Sequence, residues 1–91
     1  MEFEWDPRKA ARNARKHGVS FAEAATVFAD PLSVTVEDPD HSSLENRYII
    51  IGWSVRQRLL MVAHTERGDR IRIIGARELT HLEREAYEQE T

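Results

Sequence analysis

Residues 47–77 read RYIIIGWSVRQRLLMVAHTERGDRIRIIGAR, and this stretch decides the fold. It divides into three strands, over about 47–54, 58–65 and 70–76. The first two carry runs that are apolar on both faces, Tyr48-Ile49-Ile50-Ile51 and Leu59-Leu60-Met61-Val62-Ala63. Central strands covered on both sides have this composition. The connectors are short, around Arg56-Gln57 and at Arg67-Gly68-Asp69. Such connectors join antiparallel neighbours. In the third strand Arg70 and Arg72 share one face by the two-residue period, with Ile71 and Ile73 on the other.

Upstream, residues 32–37 (Leu-Ser-Val-Thr-Val-Glu) alternate and are β-branched, which predicts a fourth strand. The acidic segment Glu37 to Asn46 reads as a loop. Asp6 before Pro7 is a helix start and Gly18 a helix stop. Ser20 with Glu23 has the capping-box spacing, followed by Phe21, Ala24, Ala25 and Phe28 on one helical face. That helix ends at Asp30-Pro31, because a residue before proline avoids the α region. Residues 1–5, with Phe3 and Trp5 opposite Glu2 and Glu4, read as a short half-buried strand. Downstream, Thr80 with Glu83 opens a last helix to about Glu90, whose apolar face is thin: Leu79, Leu82 and Ala86. The order is β-α-α-β-β-β-β-α. It predicts an α+β fold in which two helices cover one face of an antiparallel sheet. Ninety-one residues suit a single domain over 1–91.

Composition narrows the function. The chain has no cysteine, which excludes a disulfide scaffold, a cysteine nucleophile and a thiolate metal site. The four histidines lack metal-ligand spacing, and there is no P-loop, G-x-G-x-x-G or G-x-S-x-G motif. No metal or cofactor is expected. No apolar run approaches a membrane span and the N-terminus is acidic, so a cytoplasmic protein without a membrane partner is expected.

The net charge of −3 hides alternating blocks. Residues 7–29 carry +4, five cations against Glu23, and 56–77 carry +4, six arginines against Glu66 and Asp69. Residues 30–46 and 78–91 are acidic. On the first helix Arg8, Lys9, Arg12, Arg15 and Lys16 form one basic stripe, opposite Ala10, Ala14 and His17. A solvated surface helix or a nucleic-acid contact both fit that stripe. Arginine forks match phosphate oxygens in two-point geometry. The pair Arg70 and Arg72 is therefore a candidate phosphate platform, with salt bridging to the acidic segments as the alternative. His41, Ser42, Glu45 and Arg47 form a polar group entering a strand. Histidine and glutamate there are candidate acid–base groups, or a simple turn. His64 ends an apolar strand, as a core histidine or an edge group. Tyr87 is a candidate proton donor or stacking ring, or packs over the sheet.

These residues assemble into a resemblance. Phe3-Glu4-Trp5-Asp6-Pro7, Lys9-Ala10, Asn13, Lys16-His17-Gly18-Val19, Phe21, Ala24 and Phe28-x-Asp30-Pro31 resemble the opening of the BrnT toxin family. The likeness continues through His41-Ser42, Glu45-x-Arg47, Gly52-x-Ser54, Arg58, Thr65-x-Arg67-Gly68, Arg72-Ile73-Ile74 and Ala76-Arg77, to Glu83 and Tyr87. One departure is Gly75, where the family usually carries serine. The resemblance implies a RelE-like fold and the toxin of a type II toxin–antitoxin module. It implies a metal-independent endoribonuclease that inhibits translation, acting on RNA either free or on the ribosome. It further implies a BrnA-like ribbon-helix-helix antitoxin, held in a heterotetramer and alone responsible for contact with operator DNA.

On that reading Arg67, Arg72 and Arg77 attend the phosphate, Glu45 or His41 is the base, and Tyr87 or His17 the acid. Arg8, Lys9, Arg12, Arg15, Lys16, His17, Arg47 and Arg70 contact RNA. Arg72 and Arg77 differ in strand parity, so this grouping requires a bend near Gly75. Two rivals stay open: a non-catalytic RNA or ribosome binder, and a protein-interaction domain using the same basic surface.

Overall fold

The computed structural model describes residues 1–38 and 46–90. Strand β1 (Glu2–Glu4) leads into helix α1 (Pro7–His17), then helix α2 (Phe21–Thr26) with a 3-10 turn over Val27–Ala29. Strands β2 (Val34–Glu37), β3 (Arg47–Trp53), β4 (Leu59–Arg67) and β5 (Arg70–Glu78) follow, then helix α3 (His81–Glu90).

The helix ends are those that the capping residues dictate. The Asp6 carboxylate accepts from the Arg8 N–H at 2.8 Å, with Pro7 in the first turn. Gly18 takes the left-handed conformation, φ 69°, and donates to the Ala14 carbonyl. The Ser20 hydroxyl accepts from the Glu23 N–H at 3.0 Å. Only the box at α3 is reciprocal: Glu83 N–H donates to Thr80 Oγ1 at 3.2 Å, and Thr80 N–H to Glu83 Oε1 at 2.9 Å.

The sheet has the order β1-β5-β4-β3-β2. The pairs β2/β3, β3/β4 and β4/β5 are antiparallel, as the short connectors require. The expectation of a wholly antiparallel sheet is corrected at one edge, because β1 runs parallel to β5, with Phe3 opposite Ile71. These two strands lie at opposite ends of the chain, so no hairpin sets their relative direction. Phe3 packs there on Phe28 at 5.1 Å between ring centroids.

Helices α1 and α2 cover one face. Val19, Phe21, Ala24 and Val27 pack there on Ile50, Leu60, Val62, Ile73 and Ala76. His64 belongs to this side and is a core histidine. It is buried against Phe28 and Tyr48, with Nδ1 3.3 Å from the Val62 carbonyl. Burial pushes its pKa down.

The Glu23 side chain does not close the capping box. Its buried carboxylate accepts from Ser54 Oγ at 2.7 Å and Arg58 Nε at 2.9 Å, and Arg58 also donates to the Gly18 carbonyl at 3.0 Å. This network ties the β3–β4 turn to α2. The arginine hydrogen bonds hold the Glu23 carboxyl below its usual range.

One irregularity governs the opposite face. Ala63 pairs with Gly75, but His64 pairs with Ile73, so Ile74 is an extra residue in β5. This bulge switches the alternation, and Arg70, Arg72, Gly75 and Arg77 all come to lie on the face away from α1 and α2.

Candidate functional site

The face away from α1 and α2 is built in cross-strand rows. The first runs Arg47–Thr65–Arg72–Glu4 across β3, β4, β5 and β1. The second runs Val36–Ile49–Ala63–Gly75, and the third Val34–Ile51–Met61–Arg77. Rows on one face are about 6–7 Å apart along a strand. Arg72 and Arg77 therefore flank the small residues Ala63 and Gly75 from either side. The bend that their parity demanded is the bulge at Ile74.

Each arginine is held by a carboxylate. Arg72 donates through NH1 to Glu4 Oε2 at 3.0 Å, and Arg70 lies 3.5 Å from Glu4 and 3.7 Å from Glu2. The Arg72 hydrogen bond keeps the Glu4 carboxyl below its usual range. Arg77 makes a two-point contact with Glu83 of α3, at 2.8 and 2.9 Å. That contact, helped by the Thr80 N–H, takes Glu83 down to about 2 and raises Arg77. Salt bridging, the structural alternative for the arginines, is thus present at Arg70, Arg72 and Arg77. It does not exhaust them: Arg72 uses one of its five N–H groups in this contact.

Two polar atoms in the first row, Arg47 Nε and Thr65 Oγ1, are buried without a hydrogen-bond partner among the described residues. Thr65 is 1% exposed. A buried hydroxyl without a partner is uncommon and costly. Arg67 ends β4 opposite Arg70, on the same face and exposed.

The remaining candidates are dispersed. Arg8, Lys9, Arg12, Arg15 and Lys16 are exposed along α1, a helix with no acidic residue to pair them. Arg8 and Lys9 also stand at the positive end of the helix dipole, where cations are disfavoured. His17, at the other end of α1, reaches the edge of the row face and lines a trough with Gly75 and Arg77. Tyr87 lies on the same face at its other end, in a groove between α3 and Val34, Val36, Ile51 and Met61, and donates to the Leu32 carbonyl at 3.2 Å. Burial, with Asp30 nearby, raises its pKa, so the phenol stays protonated. His41, Ser42 and Glu45 lie outside the described residues. Among the described residues no cluster of histidine and carboxylate groups has metal-binding geometry. No helix among them is long and apolar enough to cross a membrane.

A family model described as the ribonuclease toxin BrnT of a type II toxin–antitoxin system matches residues 5–83. The chain belongs to the BrnT family. It is accordingly a ribonuclease toxin by family, and type II systems pair such a toxin with a protein antitoxin. A crystal structure of the Brucella abortus ribonuclease toxin BrnT has a similar fold, with a TM-score of 0.66 and 21% identity. The likeness covers 89% of this chain and 99% of that one. Comparison with curated proteins gives no match. The BrnT match spans α1, the three rows apart from Glu4, and Glu83, and stops short of Tyr87.

Three parts of this arrangement are not evident from the arginine pattern alone. Thr65 shares a strand face with Arg67 by simple alternation, so that signal was present. Asn13 and the extra residue Ile74 carry no chemical signal of their own and stand out only within the BrnT-like pattern.

Proposed function

We propose that this BrnT-family chain is a metal-independent endoribonuclease whose phosphate site is the row face between Arg72 and Arg77. The observation that carries this reading is the bulge at Ile74, which brings two arginines of opposite nominal parity onto one face. RNA supplies its own nucleophile. A base removes the 2′-hydroxyl proton, O2′ attacks phosphorus, and the P–O5′ bond breaks as O5′ takes up a proton. The products are a 2′,3′-cyclic phosphate and a 5′-hydroxyl. The protein's largest contribution is cations placed where negative charge grows. Arg72, with most of its fork uncommitted, meets the phosphate, and Arg77 joins it by exchanging Glu83 for a phosphate oxygen. His17, at the rim, is placed to give or take a proton. Glu45 or His41 is the other acid–base group. Arg67, Arg70 and Arg47 extend the cationic field, and the α1 stripe guides the backbone of the strand.

In this reading the domain, residues 1–91, acts in the cytoplasm and inhibits translation by cutting RNA. A ribbon-helix-helix antitoxin neutralises it in a heterotetramer and carries the contact with operator DNA. A second reading, an RNA or ribosome binder without catalysis, is favoured by the α1 stripe, whose helix holds no acid to balance it.

The test is incubation of the partner-free chain with a long defined RNA in chelator, with 5′ ends mapped, alongside Arg72→Ala. Discrete cuts that disappear in the variant support the nuclease. Intact RNA with salt-sensitive binding supports the binder.

A further inference from the structure

The second row, between the two arginines, is chemically unlike its neighbours. Ala63 and Gly75 give it a low, apolar floor, walled by Ile49 on one side and by Met61 and Arg77 along the strand direction. His17 closes the end at the edge of β5. The resulting trough is about 200 Å³. That is small for a drug-sized ligand, for which pockets start near roughly 300 Å³. It suits a single planar ring system.

The floor presents no polar group that asks for a partner. Asn13, which borders it, has its amide committed: Nδ2 donates to the Val19 and Ala76 carbonyls at 3.0 and 2.8 Å, and Oδ1 accepts from the Ala76 N–H at 3.1 Å. The backbones of Ala63 and Gly75 face each other in the sheet ladder. What fits is a flat, largely apolar body with anionic groups beside it, since Arg77 lines the trough and Arg72 stands in the next row on the other side. A nucleobase with its adjoining phosphates has that form.

We propose that the trough floored by Ala63 and Gly75 is a nucleobase subsite, holding the base of the nucleotide whose phosphates meet Arg72 and Arg77. The inference rests on the reading of this face as the RNA site. Recognition there is by shape and by contact with Met61 and the His17 ring, not by hydrogen bonds to a base edge. The subsite therefore requires a base without demanding one particular base, and larger rings gain more from it.

The experiment uses the partner-free chain and a short RNA made uncleavable by 2′-O-methylation, with a single abasic nucleotide moved through every position. Binding is read by fluorescence anisotropy. One position should weaken binding about fivefold or more when its base is removed, as expected for loss of a stacked base. Gly75→Val, and separately Ala63→Val, should abolish that discrimination while leaving a salt-dependent affinity. A Cβ added at Gly75 meets only Asn13 Oδ1 at 3.8 Å, an ordinary contact. Equal binding of every abasic RNA by the wild-type chain overturns the subsite, and needs no variant to fold. So does a Gly75→Val chain that loses antitoxin binding but keeps the abasic discrimination, which would give the trough to a protein side chain. Cleavage of unmodified RNA, run in parallel, separates the two readings. Cuts without base discrimination leave the nuclease standing and remove the subsite. Discrimination without cuts does the reverse.

Discussion

The amide of Asn13 takes both backbone polar groups of Ala76, accepting from its N–H at 3.1 Å and donating to its carbonyl at 2.8 Å. Beyond the three residues that pair with β1, the outer edge of β5 has no neighbouring strand among the described residues, and α1 lies there instead. Asn13 does for one residue what an edge strand would do. It does so one position past Gly75, where the bulged strand resumes its alternation and sets the direction of Arg77.

Replacing Asn13 by alanine should destabilise the chain by about 1–3 kcal/mol, since the Ala76 and Val19 groups lose partners in a half-buried place. Asn13→Asp should be no better, because a carboxylate would face two carbonyls that need donors. Urea unfolding measures both.

Arg58→Ala should cost more, about 3–5 kcal/mol, because it leaves the buried Glu23 carboxylate with only the exposed Arg56, 3.8 Å away, as a cation. The double change Glu23→Gln with Arg58→Ala should recover part of that loss. Thermal melts of the two single variants and the double variant give the coupling.

The Arg77–Glu83 contact makes stability depend on acid. The Glu83 carboxyl titrates at about 2 in the folded chain, against an ordinary value of 4.5. Its contribution is therefore complete above pH 4.5 and fades as pH falls toward 2. Wild type and Glu83→Gln should differ in stability at about pH 6 and converge between pH 4.5 and 2. Denaturant midpoints across that range test it.

Arg72→Ala should lower RNA cleavage about 100-fold, in the range for removing one group that stabilises transition-state charge. Arg72→Lys should restore little, because a point charge cannot hold Glu4 and a phosphate oxygen together. Single-turnover rates at saturating enzyme are the measurement.

Neutralising Arg12, Arg15 and Lys16 together should weaken RNA binding without changing which sites are cut. The slope of log affinity against log salt should fall by about 0.7 for each phosphate that the helix no longer neutralises. An unchanged slope would show that α1 does not touch the backbone.

Much of this was legible in the chain. Alternation and short turns marked β2 to β5 nearly at their observed bounds, and Asp6-Pro7, Gly18, Ser20 and Thr80 marked helix ends correctly. These signals are local. The direction of β1 was not legible, because it depends on a strand at the other end of the chain. Glu23 was readable only as a capping residue, since its true partner, Arg58, is 35 positions away. For the site, the arginines announced themselves by type, and their parity conflict pointed to a distortion near Gly75. The residue responsible, Ile74, looks like any other strand residue. The carboxylates that hold Arg72 and Arg77 come from β1 and α3, and neither pairing follows from spacing.

The extra residue in β5 has a consequence for how such a chain can change over time. On the two sides of Ile74 the strand is read in different frames. Ile74 is the residue that reconciles the two frames. Losing it would restore a regular strand and leave every other side chain on its own face, with Arg72, Gly75 and Arg77 away from the helices and Ile73 and Ala76 beneath them. Drawing Ile74 into the ladder instead would turn Arg77 beneath α1 and push Ala76 out to solvent. Descendants of this chain can therefore shed a residue at the bulge and keep both faces, whereas a loss elsewhere in β5, with the bulge kept in place, exchanges inside for outside on the stretch beyond it.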